Sequence, residues 1–110
     1  MQRVNRDWGF YLVLRETPKT KWKILYFRRG AKLSLQRHFK REEKWYFLLG
    51  HGDFIRQQGS LDEGLIQGPM TIGDRVTVPV KCWHQYIAHE PTIVLEKQSG
   101  ICEEEDIERA

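Results

Sequence analysis

The chain is written in short runs of β-branched and aromatic residues, each cut off within a few positions by Gly, Pro or Asp. No segment sustains a 3.6-residue apolar period. The runs are Tyr11 to Leu14, Lys21 to Phe27, Trp45 to Leu49, Arg75 to Val78, Gln85 to Ala88 and Thr92 to Glu96. Turn signals fall at Arg29-Gly30, Gly50-His51-Gly52-Asp53, Gly73-Asp74 and Glu90-Pro91. Strands this short and this evenly spaced predict an all-β sandwich or barrel. The best helix candidate is the short acidic tail, Glu103 to Arg109, and residues 56–70 read as a surface loop or loose hairpin. With 110 residues the chain has room for one core, so residues 1–110 are expected to form a single domain. Aromatics make up 12% and include four Trp, so few positions can carry most of that core.

Charge is unevenly placed. Residues 1–41 hold 12 Lys and Arg against Asp7 and Glu16, a balance of +10, and with a net +3 the remainder carries −7. A basic half suits nucleic acid or a phosphorylated small molecule. Aromatics do interleave with cations at Lys21-Trp22-Lys23 and Tyr26-Phe27-Arg28. Strand alternation, however, is expected to turn Trp22, Ile24 and Tyr26 inward and Lys21 and Lys23 to water, which argues against a nucleic-acid partner. The acidic run Glu103 to Asp106 reads as a solvated tail. No apolar run approaches the roughly 20 residues that span a bilayer, so no membrane partner is expected. The start of the chain lacks a signal-peptide pattern. Cys82 and Cys102 form no Cys-x-x-Cys motif, and two reduced thiols in the cytoplasm are the expectation.

One constellation carries chemistry. In Leu33-Ser34-Leu35-Gln36-Arg37-His38, strand alternation puts Ser34, Gln36 and His38 on one side and the leucines on the other. Glu43 opens the next strand and His84 follows Trp83. Two imidazoles, a carboxylate and an amide carbonyl suit a borderline divalent ion such as Zn²⁺, with positions left open. A single His or Gln alone carries no such meaning, and the spacing of the four leaves a metal site and ordinary hydrogen-bonded side chains equally open.

The spacing of these residues resembles the cupins. Gly30, five residues, Gln36-Arg37-His38, four residues, Glu43, six residues, Gly50 is similar to the first cupin signature, with Gln in place of its first His. Gly73, five residues, Pro79, four residues, His84 is similar to the second. Within the cupins the chain resembles type II mannose-6-phosphate isomerase domains. Arg6-Asp7-Trp8-Gly9, Leu33 to His38, Arg41-Glu42-Glu43-Lys44-Trp45, Glu96-Lys97-Gln98-Ser99-Gly100 and Glu104-Glu105-Asp106-Ile107 carry that likeness across nearly the whole chain. It departs from the family at Phe39-Lys40, Lys44, Lys81 (where Gly is usual), Ala88 and the longer 55–72 connection.

The resemblance implies an antiparallel jelly-roll β-barrel with Gln36, His38, Glu43 and His84 holding a divalent metal, most simply Zn²⁺. It implies interconversion of mannose 6-phosphate and fructose 6-phosphate, here without the guanylyltransferase domain that often accompanies such domains. Arg41 is the candidate for gripping a substrate oxygen or phosphate, because a guanidinium pairs with two oxygens at once. No residue stands out as the general base. The alternative is a cupin that binds an anionic sugar or metabolite without this turnover. A homodimer is compatible with the family, with Trp8 or Trp83 available for its interface.

Overall fold

Alternation of side chains across strands organises the molecule; among the described residues there is no helix, and so none long and apolar enough to cross a membrane. The computed structural model describes residues 1–57 and 65–110. The strands are β1 (Gln2–Arg6), β2 (Gly9–Glu16), β3 (Thr20–Phe27), β4 (Gln36–Arg37), β5 (Arg41–Leu49), β6 (His51–Gln57), β7 (Leu65–Thr71), β8 (Arg75–Val78), β9 (His84–Ala88), β10 (Thr92–Gly100) and β11 (Glu108–Arg109). They form two antiparallel sheets, ordered β1-β2-β3-β10-β5-β8 and β11-β4-β9-β6-β7. This is the all-β architecture that the strand spacing predicts and, in kind, the jelly roll that the resemblance implies, built as two sheets that remain separate hydrogen-bonded units.

The core lies between the sheets. Leu25, Phe27, Trp45, Phe47 and Val94 come from the first, Phe54, Tyr86 and Ala88 from the second. Trp45, Phe27 and Tyr86 are almost wholly enclosed, and Trp45 meets Phe54 edge-on at 5.1 Å. Edge contacts of this kind suit the ring quadrupoles and add to the area buried. Trp8 stacks on Phe27 at 4.5 Å. Both cysteines are free and half-buried.

Register places a boundary inside this core. On the three central strands Phe47, Val94 and Leu25 lie side by side at one level. One step along, the row reads Trp45, Glu96, Lys23, and the next reads Glu43, Gln98, Lys21. The interior therefore changes from apolar to charged at the same height on neighbouring strands.

Two expectations are corrected. Lys21 and Lys23 face inward and are buried, whereas Trp22, Ile24 and Tyr26 occupy the other face, half-buried. Tyr26 stacks there on Phe10 at 5.2 Å, and Lys97 lies over Trp22. The tail is not helical and Asp106 is not solvated: after Gly100 the chain folds back as a strap that ends in β11, paired with β4. Gly100 adopts φ +120°, and a Cβ there would stand 2.4 Å from the Lys40 carbonyl oxygen, so the return requires glycine. The stretch 56–70, read as a surface loop or loose hairpin, takes the hairpin form, with Gln57 opposite Leu65 in the β6–β7 pair; residues 58–64 of it lie outside the described residues.

Candidate metal centre

Both sheets and the turn between them contribute to one cluster. Glu43 points inward from β5 in the first sheet; His84 opens β9 in the second; His38 sits in the turn leading into β5. All three are buried, and their ligand atoms lie within 4.8 Å of one another. His38 Nε2 is 3.2 Å from Glu43 Oε2, and His84 Nε2 is 3.5 Å from Glu43 Oε1.

The backbone fixes which ring nitrogen faces the centre. His38 Nδ1 donates to the Asp106 carbonyl oxygen at 2.6 Å, and His84 Nδ1 donates to that of Cys82 at 3.1 Å. Each imidazole thereby keeps its Nε2 lone pair toward Glu43. Burial lowers the His38 pKa below its ordinary value despite the opposing pull of Glu43, which favours the neutral ring. Two lone pairs thus face a carboxylate, an arrangement that calls for a cation. His84 Nε2 is wholly buried and has no hydrogen-bond partner, since 3.5 Å to Glu43 is too long for a good bond. Imidazoles oriented by carbonyls through their second nitrogen are the usual support of metal-binding histidines. The donor set therefore fits a divalent ion, and His38, Glu43 and His84 can hold one.

Glu43 is well provided with donors. Trp45 Nε1 donates to Oε1 at 3.2 Å and Arg41 Nε to Oε2 at 3.1 Å. Burial by itself would raise its pKa, but His84, Arg41 and His38 together hold the carboxyl well below the usual range. Arg41 is also buried. It donates from Nη2 to His38 Nε2 at 3.3 Å and from Nη1 to the Glu103 carbonyl at 3.0 Å. Its guanidinium thus spends three of its N–H groups on this chain, two of them on candidate ligands. Gln36 stands on β4 directly across from His84, and its Oε1 accepts from Ser34 Oγ at 3.4 Å.

Gln36, His38, Arg41 and Glu43 line a cavity of about 670 Å³ that runs along the charged face of the core. Its walls include residues that the sequence reading did not single out: Lys23, Glu96, Gln98 and Glu104. Glu96 is pushed up to about 8, mainly by burial and then by the charge of Glu43, against the opposing effect of Lys23. Gln98 Nε2 donates to Glu96 Oε1 at 2.8 Å. Asp106 carries the His38 bond and also accepts the backbone N–H groups of Phe39 and Lys40 at 2.9 and 2.8 Å. The available signal was a pair of charged or amide side chains at alternate positions of three strands, Lys21-x-Lys23, Arg41-x-Glu43 and Glu96-x-Gln98. Such pairs at inward positions mark a polar cavity.

The family model described as "Mannose-6-phosphate isomerase C-terminal" matches residues 1–110. KdgF from Halomonas sp. shares the fold at a TM-score of 0.78 and 18% identity, over 91% of this chain and 88% of that one. PAC13 from Streptomyces, solved as a variant with uridine, gives 0.80 and 16%, over 99% and 83%. CapF from Staphylococcus aureus, a capsular polysaccharide assembling protein, gives 0.82 and 17%, over 96% of this chain but 31% of CapF. No curated protein matches. The fold these chains share is that of the cupins.

Proposed function

Because the chain belongs to the mannose-6-phosphate isomerase C-terminal family, we propose that it is a metal-dependent, isomerase-like cupin acting on an aldose or ketose phosphate of the mannose 6-phosphate and fructose 6-phosphate type. Residues 1–110 are read as one domain, acting in the cytoplasm. The observation that carries the reading is the buried cluster of His38, Glu43 and His84, of which His38 and Glu43 line a cavity that also presents Lys23, Arg41 and Glu96.

In this reading His38, Glu43 and His84 hold the ion, with Gln36 across from His84 as the further donor. The N, O donor set suits Zn²⁺. When bound, such an ion supplies Lewis-acid polarisation of sugar oxygens. The chain's own residues do the rest. Arg41 holds Glu43 in place through Nε and directs its other N–H groups to a substrate oxygen, since the His38 Nε2 lone pair is then taken by the ion. Glu96, oriented by Gln98 and poised near neutrality, gives and takes the proton that an aldose–ketose exchange moves between C1 and C2. Cations on the cavity wall hold the phosphate.

The test is a coupled assay for fructose 6-phosphate formed from mannose 6-phosphate, with Zn²⁺ and with chelator. Turnover is expected to disappear with chelator, and His38→Ala is expected to lose both turnover and one bound ion per chain. Absence of turnover at high enzyme and added Zn²⁺ would overturn the isomerase reading. The internal commitments of Arg41 favour one second reading, a cupin that binds an anionic sugar without converting it. Ligand-dependent thermal stabilisation without turnover would identify that case.

A further inference from the structure

Lys21 and Lys23 point into the molecule from β3 with side chains 10% and 4% exposed. A buried ammonium group needs a partner, because leaving water uncompensated is costly. Both lysines find the same one: Glu104 Oε1, at 3.3 Å from Lys21 and 2.9 Å from Lys23. Glu104 is delivered by the strap that follows Gly100, and its side chain is 42% exposed. With Lys23 it lines the cavity of the candidate metal centre. Two buried cations therefore share one oxygen of a single, solvent-accessible carboxylate.

The other charged groups at this end include Glu16, across from Lys21 on β2, Glu96, across from Lys23 on β10, and Arg6, Asp7 and Arg41 on the cavity wall. The Tyr11 ring lies under Lys23 at 4.1 Å. Beside them Gln98, across from Lys21, buries its Oε1 with no hydrogen-bond partner. Lys23 and Gln98 line the cavity, and Lys21, which does not line it, joins them through the shared Glu104 oxygen. Glu43 stands two strands from Lys21 in the same row, roughly 10 Å at ordinary strand spacing.

We propose that Lys21 and Lys23 form the anion-binding end of the cavity, that Glu104 occupies it as an internal stand-in, and that a phosphate monoester on a small polyol displaces that carboxylate while a hydroxyl donates to Gln98 Oε1. A phosphate carries about −1.5 to −2 at neutral pH, a better match to two ammonium groups than one carboxylate. The exchange reaches the metal centre through the strap. Glu104 is flanked by Glu103, whose carbonyl holds Arg41, and by Asp106, whose carbonyl holds His38. Moving Glu104 therefore bears on the groups that orient Arg41 and His38, and anion occupancy is coupled to that centre. The choice of a phosphorylated polyol rests on the function proposed above; the exchange itself requires no turnover.

The experiment is calorimetric titration of the full chain with inorganic phosphate and with mannose 6-phosphate. Glu104→Gln is expected to bind inorganic phosphate about tenfold tighter than the wild type, because the competing anion is gone. Lys23→Met is expected to bind it at least about tenfold more weakly. Glu90→Gln, whose carboxylate pairs with the exposed Arg29 away from the strap, serves as the control and should match the wild type. Unchanged or weaker phosphate binding by folded Glu104→Gln overturns the proposal. Should that variant fail to fold, Glu104→Asp, whose carboxylate remains but is drawn back by one methylene, must show a smaller tightening in the same direction or the proposal falls. Tightening with no fructose 6-phosphate formed removes the isomerase reading and leaves the exchange standing. Turnover with unchanged phosphate affinity in Glu104→Gln does the reverse.

Discussion

Glu96 sits on the inner face of β10, buried, with Gln98 on one oxygen and the charge of Glu43 close by. Its carboxyl is raised to about 8 from an ordinary 4.5, so between those values the folded chain holds a proton that the unfolded chain releases. The stability it contributes is complete below 4.5 and is lost as pH rises through about 8. In metal-free protein, Glu96→Gln is therefore expected to flatten this slope. Thermal melts in chelator should show the variant near the wild type at about pH 5 and above it at about pH 8.5. An identical slope in both would show that the carboxyl is not held neutral. Lys21 and Lys23 show what was hidden at this scale. Alternation along Thr20–Phe27 was readable, but its phase was not, because Trp22, Ile24 and Tyr26 look at least as suited to an interior as two lysines. What turns the lysines inward is Glu104, more than eighty residues away in sequence.

The turn between β8 and β9 sets the position of His84, and it does so with a residue in an unfavourable conformation. Lys81 has φ 66°, a left-handed geometry that L-residues other than Gly, Asn and Asp rarely adopt, and its N–H donates to the His38 carbonyl at 2.6 Å. The turn thereby ties the segments carrying two candidate ligands. Lys81→Gly keeps that N–H and removes the Cβ. Relief of strain exceeds the added freedom of the unfolded chain, so a gain of about 0.5–1 kcal/mol, a Tm rise of about 2–6 °C, is expected. A melt at or below that of the wild type would count against stored strain. The departure was legible as Lys81 standing where the related sequences have glycine. The strap was less so. Glu103 to Arg109 has the composition of a helix end, yet the return at Gly100, the Asp106 bonds to Phe39 and Lys40, and the pairing of Glu108 with Arg37 impose an extended course. Each of these depends on a partner distant in sequence, which local propensity does not contain.

Over the whole molecule, the charge asymmetry is partly neutralised by folding. Cations of the first 41 residues meet acids of the second part at Lys21 and Lys23 with Glu104, Arg29 with Glu90, Arg37 with Glu108 and Lys40 with Glu103. Arg29–Glu90 and Lys40–Glu103 are exposed and stabilise little, whereas the pairs made by Lys21, Lys23, Arg37 and Lys40 all draw the strap onto the sheets. His38, Glu43 and His84 were readable from spacing because each lies within or beside a short strand with its own turn signal. Their union required both sheets. An ion joining the sheets at that point should couple to global unfolding. At about 1,000 times its Kd, Zn²⁺ is expected to stabilise the chain by about 4 kcal/mol. Chelator should reverse the gain, and His84→Ala should abolish it; equal melting of the wild type in Zn²⁺ and in chelator would contradict a metal joining the sheets.

The boundary at Trp45, where aromatic packing gives way to charge, has an evolutionary reading. Phe27, Phe47, Phe54 and Tyr86 secure the fold on one side of it, while Lys21, Lys23, Glu96, Gln98 and Glu104 shape the cavity end on the other. Substitutions confined to the second group can change what the chamber accepts while the aromatic half still assembles. Selection, or a library varied at those five positions, can thus retarget the chamber without redesigning the protein around it.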